Sequence, residues 1–497
     1  MRLNPPTTAR WARTTLSVVA LASLTACANF SGIFSHATPV TPQAVGVSEA
    51  TLPANHPALD AQWWKSFGDS QLDTLIEQAL ANNPSLRAAQ ARVQKVQAGI
   101  ANAEAARLPQ INASFDATQQ RYSKNGLIPA PLAGAISDSG TLQASGSWEL
   151  DLFGKNRAAL EAAIGQARAA NADAQAARMM LATNVARSYF QWVRIQNQLT
   201  VAQRALAQRE QSRKLVQDRF QAGLDTQIEV QQSESGLPDA RYQIEALKEQ
   251  EALLINALTA LTSKQNGTLT LVKPAQAAIK IEALVPSIPM DLLGRRADIT
   301  AARWRVEAAT HDIDNAKAMF YPNINLTAFA GFSSIGLDRL LDTGSNQWGV
   351  GPAIRLPIFE GGRLRANLKA KTADLDASIE TYNSVVLDAV HDVADQITSS
   401  KAIVAQQTEQ QAAQEAAERA YSISLERYEG GLGNYLQVLN AETAVLTQRR
   451  LRVDLAARAT DTRVQLIRAL GGGFQDTDPA TASNTNDSHA LAAAATR

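Results

Sequence analysis

Thr141-Leu142-Gln143-Ala144-Ser145-Gly146-Ser147-Trp148-Glu149-Leu150-Asp151-Leu152 alternates without a break. Leu142, Ala144, Gly146, Trp148, Leu150 and Leu152 fall on one face of an extended chain; Gln143, Ser145, Ser147, Glu149 and Asp151 fall on the other. Three further segments behave alike. Ile111, Ala113, Phe115 and Ala117 alternate with Asn112, Ser114, Asp116 and Thr118, and Trp348, Val350, Ile354, Leu356 and Ile358 with Gln347, Gly349, Gly351, Ala353 and Arg355. Residues 323–332 follow the rule more loosely, with Phe329 on the polar face. Each segment is near the about ten residues of a transmembrane β-strand, greasy toward lipid and polar toward a wet lumen. A soluble sandwich would need more strands, because isolated pairs build no core. Nor do four strands close a barrel, and an open edge in lipid leaves backbone groups unpaired. The chain must therefore assemble. Two copies would give about eight strands and an interior filled by side chains, whereas three give about twelve and an aqueous lumen, so a homotrimer is expected.

The same unit is written twice. Leu108-Pro109-Gln110-Ile111-Asn112 is echoed by Tyr321-Pro322-Asn323-Ile324-Asn325, and the prolines stand 213 positions apart (322 − 109), as do Arg92 and Arg305. Leu150-Asp151-Leu152-Phe153 returns as Leu356-Pro357-Ile358-Phe359, and Arg219-Phe220-Gln221-Ala222-Gly223-Leu224 as Arg427-Tyr428-Glu429-Gly430-Gly431-Leu432. A whole supersecondary unit is duplicated. Between its strands and its glycine turn each copy carries a very long helix. From Arg363 the apolar positions Leu364, Leu368, Leu375, Ile379, Tyr382, Val386, Val390, Val393, Ile397 and Val404 keep one face at about 3.6 spacing, uninterrupted by Pro or Gly until Gly430. The corresponding run from Lys155 to Ala222 contains Gly165 and no proline. At about 1.5 Å per residue each spans about 100 Å, and a 3.6 period favours nearly straight helices over a tight coil. Taken alone, these runs also suit a solvated coiled coil. Gly223 and Gly431 stand where left-handed caps are needed, and Thr226 with Glu229 makes a capping-box pattern that Asn434 and Gln437 repeat more weakly. Both turns are expected at the end away from the strands.

Arg2, Arg10 and Arg13 precede the apolar run Leu16 to Leu24, a secretory leader too short to span a bilayer. It ends in Leu24-Thr25-Ala26-Cys27, which resembles the bacterial lipobox; the bland reading is an ordinary signal with an incidental cysteine. Cys27 is the only cysteine, which excludes a disulfide framework and zinc-type Cys clusters. Ala28 rather than Asp follows it, which in lipoproteins implies outer-membrane sorting. Loss of three of 47 basic residues would leave 44 against 47 acidic ones, so nothing suggests nucleic acid. The expected organisation is a signal peptide at 1–26; an anchor, equatorial segment and first helices at 27–107; a first β-hairpin at 108–153; and a long helical hairpin at 154–264. An equatorial linker at 265–293, a helix at 294–321, a second β-hairpin at 322–359, a second helical hairpin at 360–471 and a flexible tail at 472–497 follow.

Trp63-Trp64 with Phe67, the Trp-Glu-Leu-Asp-Leu-Phe-Gly-Lys run at 148–155, Arg295-Arg296-Ala297-Asp298-Ile299 and both Arg-Gly-Leu hairpins resemble the outer-membrane efflux lipoproteins. These are the NodT-like branch of the TolC/OprM-like export ducts, and the resemblance covers about 60–472. It implies a mainly α chain with a transmembrane β-barrel: a trimer whose twelve-stranded β-barrel, four strands per chain, continues as a twelve-helix periplasmic α-barrel. Around it, 27 onward, 265–292 and the chain after about 470 would form an equatorial region. It also implies partners: a periplasmic adaptor docking at Gly223, Leu224, Asp225, Thr226, Gly431, Leu432, Gly433 and Asn434, and an inner-membrane pump of the RND type. Cys27 would carry the lipid. Two departures stand out. Ala297 replaces the usual proline, a local packing change. Tyr428 matches the entrance region, but the acids that ring the entrance in some members fall on Gln437 and Asn440, with Glu229 and Gln232 at the equivalent places of the first repeat.

Catalysis finds no support. The five histidines are scattered, and there is no P-loop, Gly-x-Ser-x-Gly elbow or convincing dinucleotide loop. Asp388, His391, Asp392 and Asp395 share a helical neighbourhood that could bind a metal, but a solvated or subunit-contact face is the plainer reading. The expectation is a passive outer-membrane conduit without cofactor or metal, lipid-anchored and with a long periplasmic extension, passing small molecules such as drugs or toxic compounds. Its rivals are a duct for type I polypeptide secretion and a non-channel coiled-coil lipoprotein of the periplasm.

Overall fold

The computed structural model describes residues 29–41, 60–274 and 292–474. Cys27 and the leader 1–26 lie outside the described residues, as do most of the 265–293 linker and of the 472–497 tail. The chain divides into two compact units, and each long helix contributes residues to both.

The first unit takes the chain up to Pro39, Arg92–Ala170 and Ala301–Tyr382. Its centre is one antiparallel sheet of β1 (Gln110–Arg121), β2 (Ile136–Leu150), β3 (Asn323–Ile335) and β4 (Asn346–Arg355), ordered as in the chain. The two hairpins are therefore not isolated pairs, because β2 bonds to β3 from Ser139↔Ile335 to Leu150↔Ile324. Two strand runs end earlier than their alternation. Asp151, read as a lumen residue, instead accepts from the Asn156 and Arg157 amides at 3.1 and 2.7 Å and starts the next helix, leaving Leu152 past β2. Leu356 and Ile358 flank Pro357, which has no amide to give a ladder, so β4 stops at Arg355. Outside the sheet, Ile313, Ala316, Phe320, Leu364 and Leu368 form a core that Phe30 and Ile33 join. Phe30 meets Phe320 edge-on at 5.1 Å, and Asp376 accepts from Ser35 Oγ at 2.6 Å, so the segment just past Cys27 is strapped down.

The second unit takes Val40–Ala91, Asn171–Thr300 and the chain from Asn383. Among the described residues the α-helices longer than one turn are, in chain order, α1 (Ser70–Asn82), α2 (Pro84–Ala105), α3 (Lys155–Gln221), α4 (Gln227–Leu261), α5 (Ala297–Ala318), α6 (Arg363–Glu429) and α7 (Tyr435–Ala469). Trp63, Trp64, Leu72, Ile76, Tyr189, Trp192, Leu258 and Val464 make its main core. Asp69 caps α1 through the Gln71 amide and accepts from Tyr189 Oη at 2.6 Å, which ties that core to a helix start. Ala297 occupies the first position of α5, a place that suits proline, so the departure leaves the helix start intact.

The α6 stripe is buried at Leu364, Leu368, Ile379, Val386 and Val393, but not to its end. Val404 is 55% exposed and Ile403 takes the buried place. There α6 meets α7, through Gln406 with Arg458 and Gln410 with the Gln448 carbonyl, and the contact face turns by one residue.

Candidate channel wall and hairpin-tip site

The register resolves the sheet into two opposed faces, because residues directly opposite in an antiparallel ladder share a face. One row runs Ile111↔Gly146↔Ala328↔Val350, and the next runs Ala113↔Ala144↔Ala330↔Trp348. Neighbouring rows of the opposite face run Asn112↔Ser145↔Phe329↔Gly349 and Ser114↔Gln143↔Gly331↔Gln347. Gln347 donates to Gln143 across Gly331 at 3.1 Å, over a glycine where a Cβ would lie 2.2 Å from the Leu142 carbonyl. Phe329 does lie on the polar face. It sits over Gly349, whose Cβ would come within 2.7 Å of the ring, so an aromatic shields a bare strand backbone.

Among the described residues, Leu337 and Leu340 cover the apolar face only at Gly140, and the middle of that face lies bare. Ile111, Trp348 and Val350 are 78%, 76% and 67% exposed, far beyond what a water-facing sheet leaves open. β1 and β4 are moreover edge strands, ending the order on either side. A periplasmic scaffold built of coiled coils alone is thereby excluded.

The second constellation joins the two turns. After α3 the Leu224 amide donates to the Arg219 carbonyl at 2.9 Å, and after α6 the Leu432 amide donates to Arg427 at 2.7 Å, with Gly223 at φ 75° and Gly431 at φ 72°. These are paired Schellman caps. Thr226 and Glu229 form the reciprocal capping box, so the Glu229 carboxylate is turned back onto the helix start. Those hydrogen bonds hold it below the usual carboxylate range. Asn434 caps α7 by accepting from the Gln437 amide at 3.1 Å, without the reciprocal bond.

The turns are fastened by unlike residues. Arg219 donates to Asp225 at 3.1 Å and lies 4.5 Å over the Tyr428 ring, and Tyr428 Oη donates to the same carboxylate. Val216, Tyr428, Tyr435 and Val438 pack beneath them. Tyr428, read as an entrance residue, is 1% exposed within the chain; burial, then the bond to Asp225, push its hydroxyl above its ordinary value. Further along, Arg209 reaches Glu442 at 3.1 Å, the Gly236 carbonyl at 2.8 Å and Asp239 at 3.3 Å. Glu442 is 3% exposed, and burial raises its pKa despite Arg209. Sequence reading missed the Arg209–Glu442 pair, for which no motif exists; for Arg219 the signal was its recurrence at Arg427. Gln437 and Asn440 are exposed, Gln232 is half-buried, and Leu224, Ile228, Leu432 and Leu436 project at 65%, 66%, 73% and 53% exposure. Of the acidic group on α6, His391 meets Asp395 at 3.4 Å while Asp392 takes Arg296 and Arg468.

A sheet with an apolar face, a polar face and open edges, in a chain with no helix among the described residues long and apolar enough to cross a bilayer, defines the class: a wall segment of an outer-membrane channel. Comparison with known proteins gives the family. The model of the outer membrane efflux protein family matches residues 75–264 and 288–472. The multidrug resistance outer membrane protein MdtQ of Escherichia coli O157:H7 is 33% identical over 426 residues, covering 84% of this chain and 88% of that protein. The fusaric acid resistance protein FusA of Burkholderia cepacia is 40% identical over 331 residues, covering 66% and 62%. Among solved structures, the outer membrane protein VceC of Vibrio cholerae superposes with a TM-score of 0.77 at 36% identity, covering 84% of this chain and all of that one. This chain belongs to the outer membrane efflux protein family, is a protein of the outer membrane, and has that family's duplicated channel fold.

Proposed function

We propose that three copies of this chain form the outer-membrane duct of a tripartite efflux system, passing small toxic molecules outward without contact with lipid. The observation that carries this is the two-faced sheet with unpaired edges. Its strands run alternately up and down, so β1 of one copy meets β4 of the next antiparallel, and three copies close about twelve strands around a wet lumen. Relatives named for multidrug and fusaric acid resistance support small molecules over polypeptides. An inner-membrane pump, RND-type by resemblance, would supply energy, and a periplasmic adaptor would dock on the tips at Gly223–Thr226 and Gly431–Asn434. The apolar pairs Leu224 with Ile228 and Leu432 with Leu436 fit such a docking surface.

Lipid on Cys27 would add to an anchoring that the barrel already provides. The purified protein should run as a heat-modifiable trimer and conduct in planar bilayers; a monomer without conductance sinks the reading. Cys27→Ser should abolish palmitate labelling and only partly reduce export, and label that persists on the variant would overturn the lipid assignment.

A further inference from the structure

The loops at the far ends of the strands, 123–135 and 336–345, carry exposed leucines where water should surround them. β2 and β3 have 15 and 13 residues, more than the about 9–11 that cross the hydrocarbon, so these loops stand beyond the lipid. Yet Leu127 is 104% exposed, and Leu341 and Leu337 are 71% and 41% exposed. Neither loop is a loose tail. The first is drawn shut at its neck by Tyr122 and Ala135, bonded at 3.0 Å; the second is pinned by Leu337 and Leu340 packed over Gly140 and by the Ser345 hydroxyl on the Arg339 carbonyl at 2.8 Å.

Their places on the sheet name the partner. Loop 123–135 follows edge strand β1 and loop 336–345 precedes edge strand β4, at the same end of the sheet. When β1 of one copy pairs with β4 of the next, the first loop of one copy comes beside the second loop of its neighbour. Their charges are complementary: Lys124 is the only charged residue of the first, whereas Asp338, Arg339 and Asp342 give the second a net −1. Resting on the barrel reading, we propose that each 123–135 loop clasps the 336–345 loop of the adjacent copy, burying Leu127 against Leu341 and sealing the β1–β4 seam above the membrane.

Cross-linking in intact outer membranes tests this. The double variant Leu127→Cys with Leu341→Cys, treated with a short bismaleimide, should give covalent dimers and trimers, while wild type and each single variant give none. A heat-modifiable trimer without covalent bands overturns the clasp and leaves the barrel, the outcome expected if lipid covers these loops. Covalent dimers from Leu127→Cys alone also overturn it, since identical loops would then meet on the axis. Absence of any trimer in wild type removes the barrel reading itself. As a second measurement, Leu127→Ser with Leu341→Ser should lower the temperature at which half the trimer dissociates in detergent; an unchanged temperature counts against the clasp.

Discussion

Arg209 and Glu442 illustrate how one buried pair constrains three helices. Removing the cation by Arg209→Ala leaves a carboxylate unpaired at 3% exposure, at a cost of about 3–5 kcal/mol. Glu442→Gln keeps an acceptor for Arg209 and should cost much less. The pH dependence has a definite sign. Burial raises the Glu442 pKa above its ordinary 4.5, so its contribution to stability is fully present below about pH 4.5 and is lost as pH rises through the folded value. Thermal unfolding of the solubilised protein should show that loss as pH rises above 4.5, and Glu442→Gln should abolish this component; an identical pH profile in the variant would exclude Glu442 as its source. Asp225 poses the same problem at the turn. Asp225→Ala strands Arg219 and the Tyr428 hydroxyl together, so amides of the 223–226 and 431–434 turns should exchange much faster, whereas Tyr428→Phe, which removes one bond worth about 1 kcal/mol, should change them little.

At the scale of elements, the sheet and the hairpins follow different rules. Every strand has two solvents, and the register says which side chain meets which. Trp148 and Leu150 lie on the apolar face and Ser147 on the polar one, in rows set by Trp148↔Leu326, Leu150↔Ile324 and Ser147↔Thr327. Trp148→Arg or Leu150→Arg, at the end of β2 and so near the membrane interface, should therefore cost up to about 1 kcal/mol per copy, against about 2–4 at the midplane, while Ser147→Arg points into the lumen. Trimer yield should fall for the first two and hold for the third. Equal losses in all three would mean that the faces are assigned wrongly. Hairpins, by contrast, depend on backbone geometry: Gly223 and Gly431 carry the positive φ angles that let each 67-residue helix reverse, and the capping box at Thr226 reopens the first one.

For the whole molecule the question is what the assembled entrance does to ions. Gln437 and Asn440 are one helical turn apart on α7 and exposed, so three copies would present a neutral ring. Glu229 does not add charge freely to that ring, because its carboxylate caps α4. Amides hold divalent cations far more weakly than carboxylates, so conductance of the trimer should be only weakly blocked by them. Gln437→Asp with Asn440→Asp should create strong, salt-sensitive block from the periplasmic side, and unchanged block in the double variant would remove these residues from the entrance. How much of this was legible in the residues depends on the range of the interactions involved. Alternation, the 3.6-residue stripe, the glycine caps, the Thr226 capping box and the duplication are patterns within a few residues or between copies of one pattern, so the sequence alone determined the strands, the helices and their reversals. The bond of β2 to β3, the one-residue turn of the α6 contact face to Ile403, the end of β2 at Asp151, and the pairing of Arg209 with Glu442 and of Tyr428 with Asp225 were decided only by the tertiary structure. Each joins groups distant in the chain or in competition for one place, and no local propensity records which partner wins.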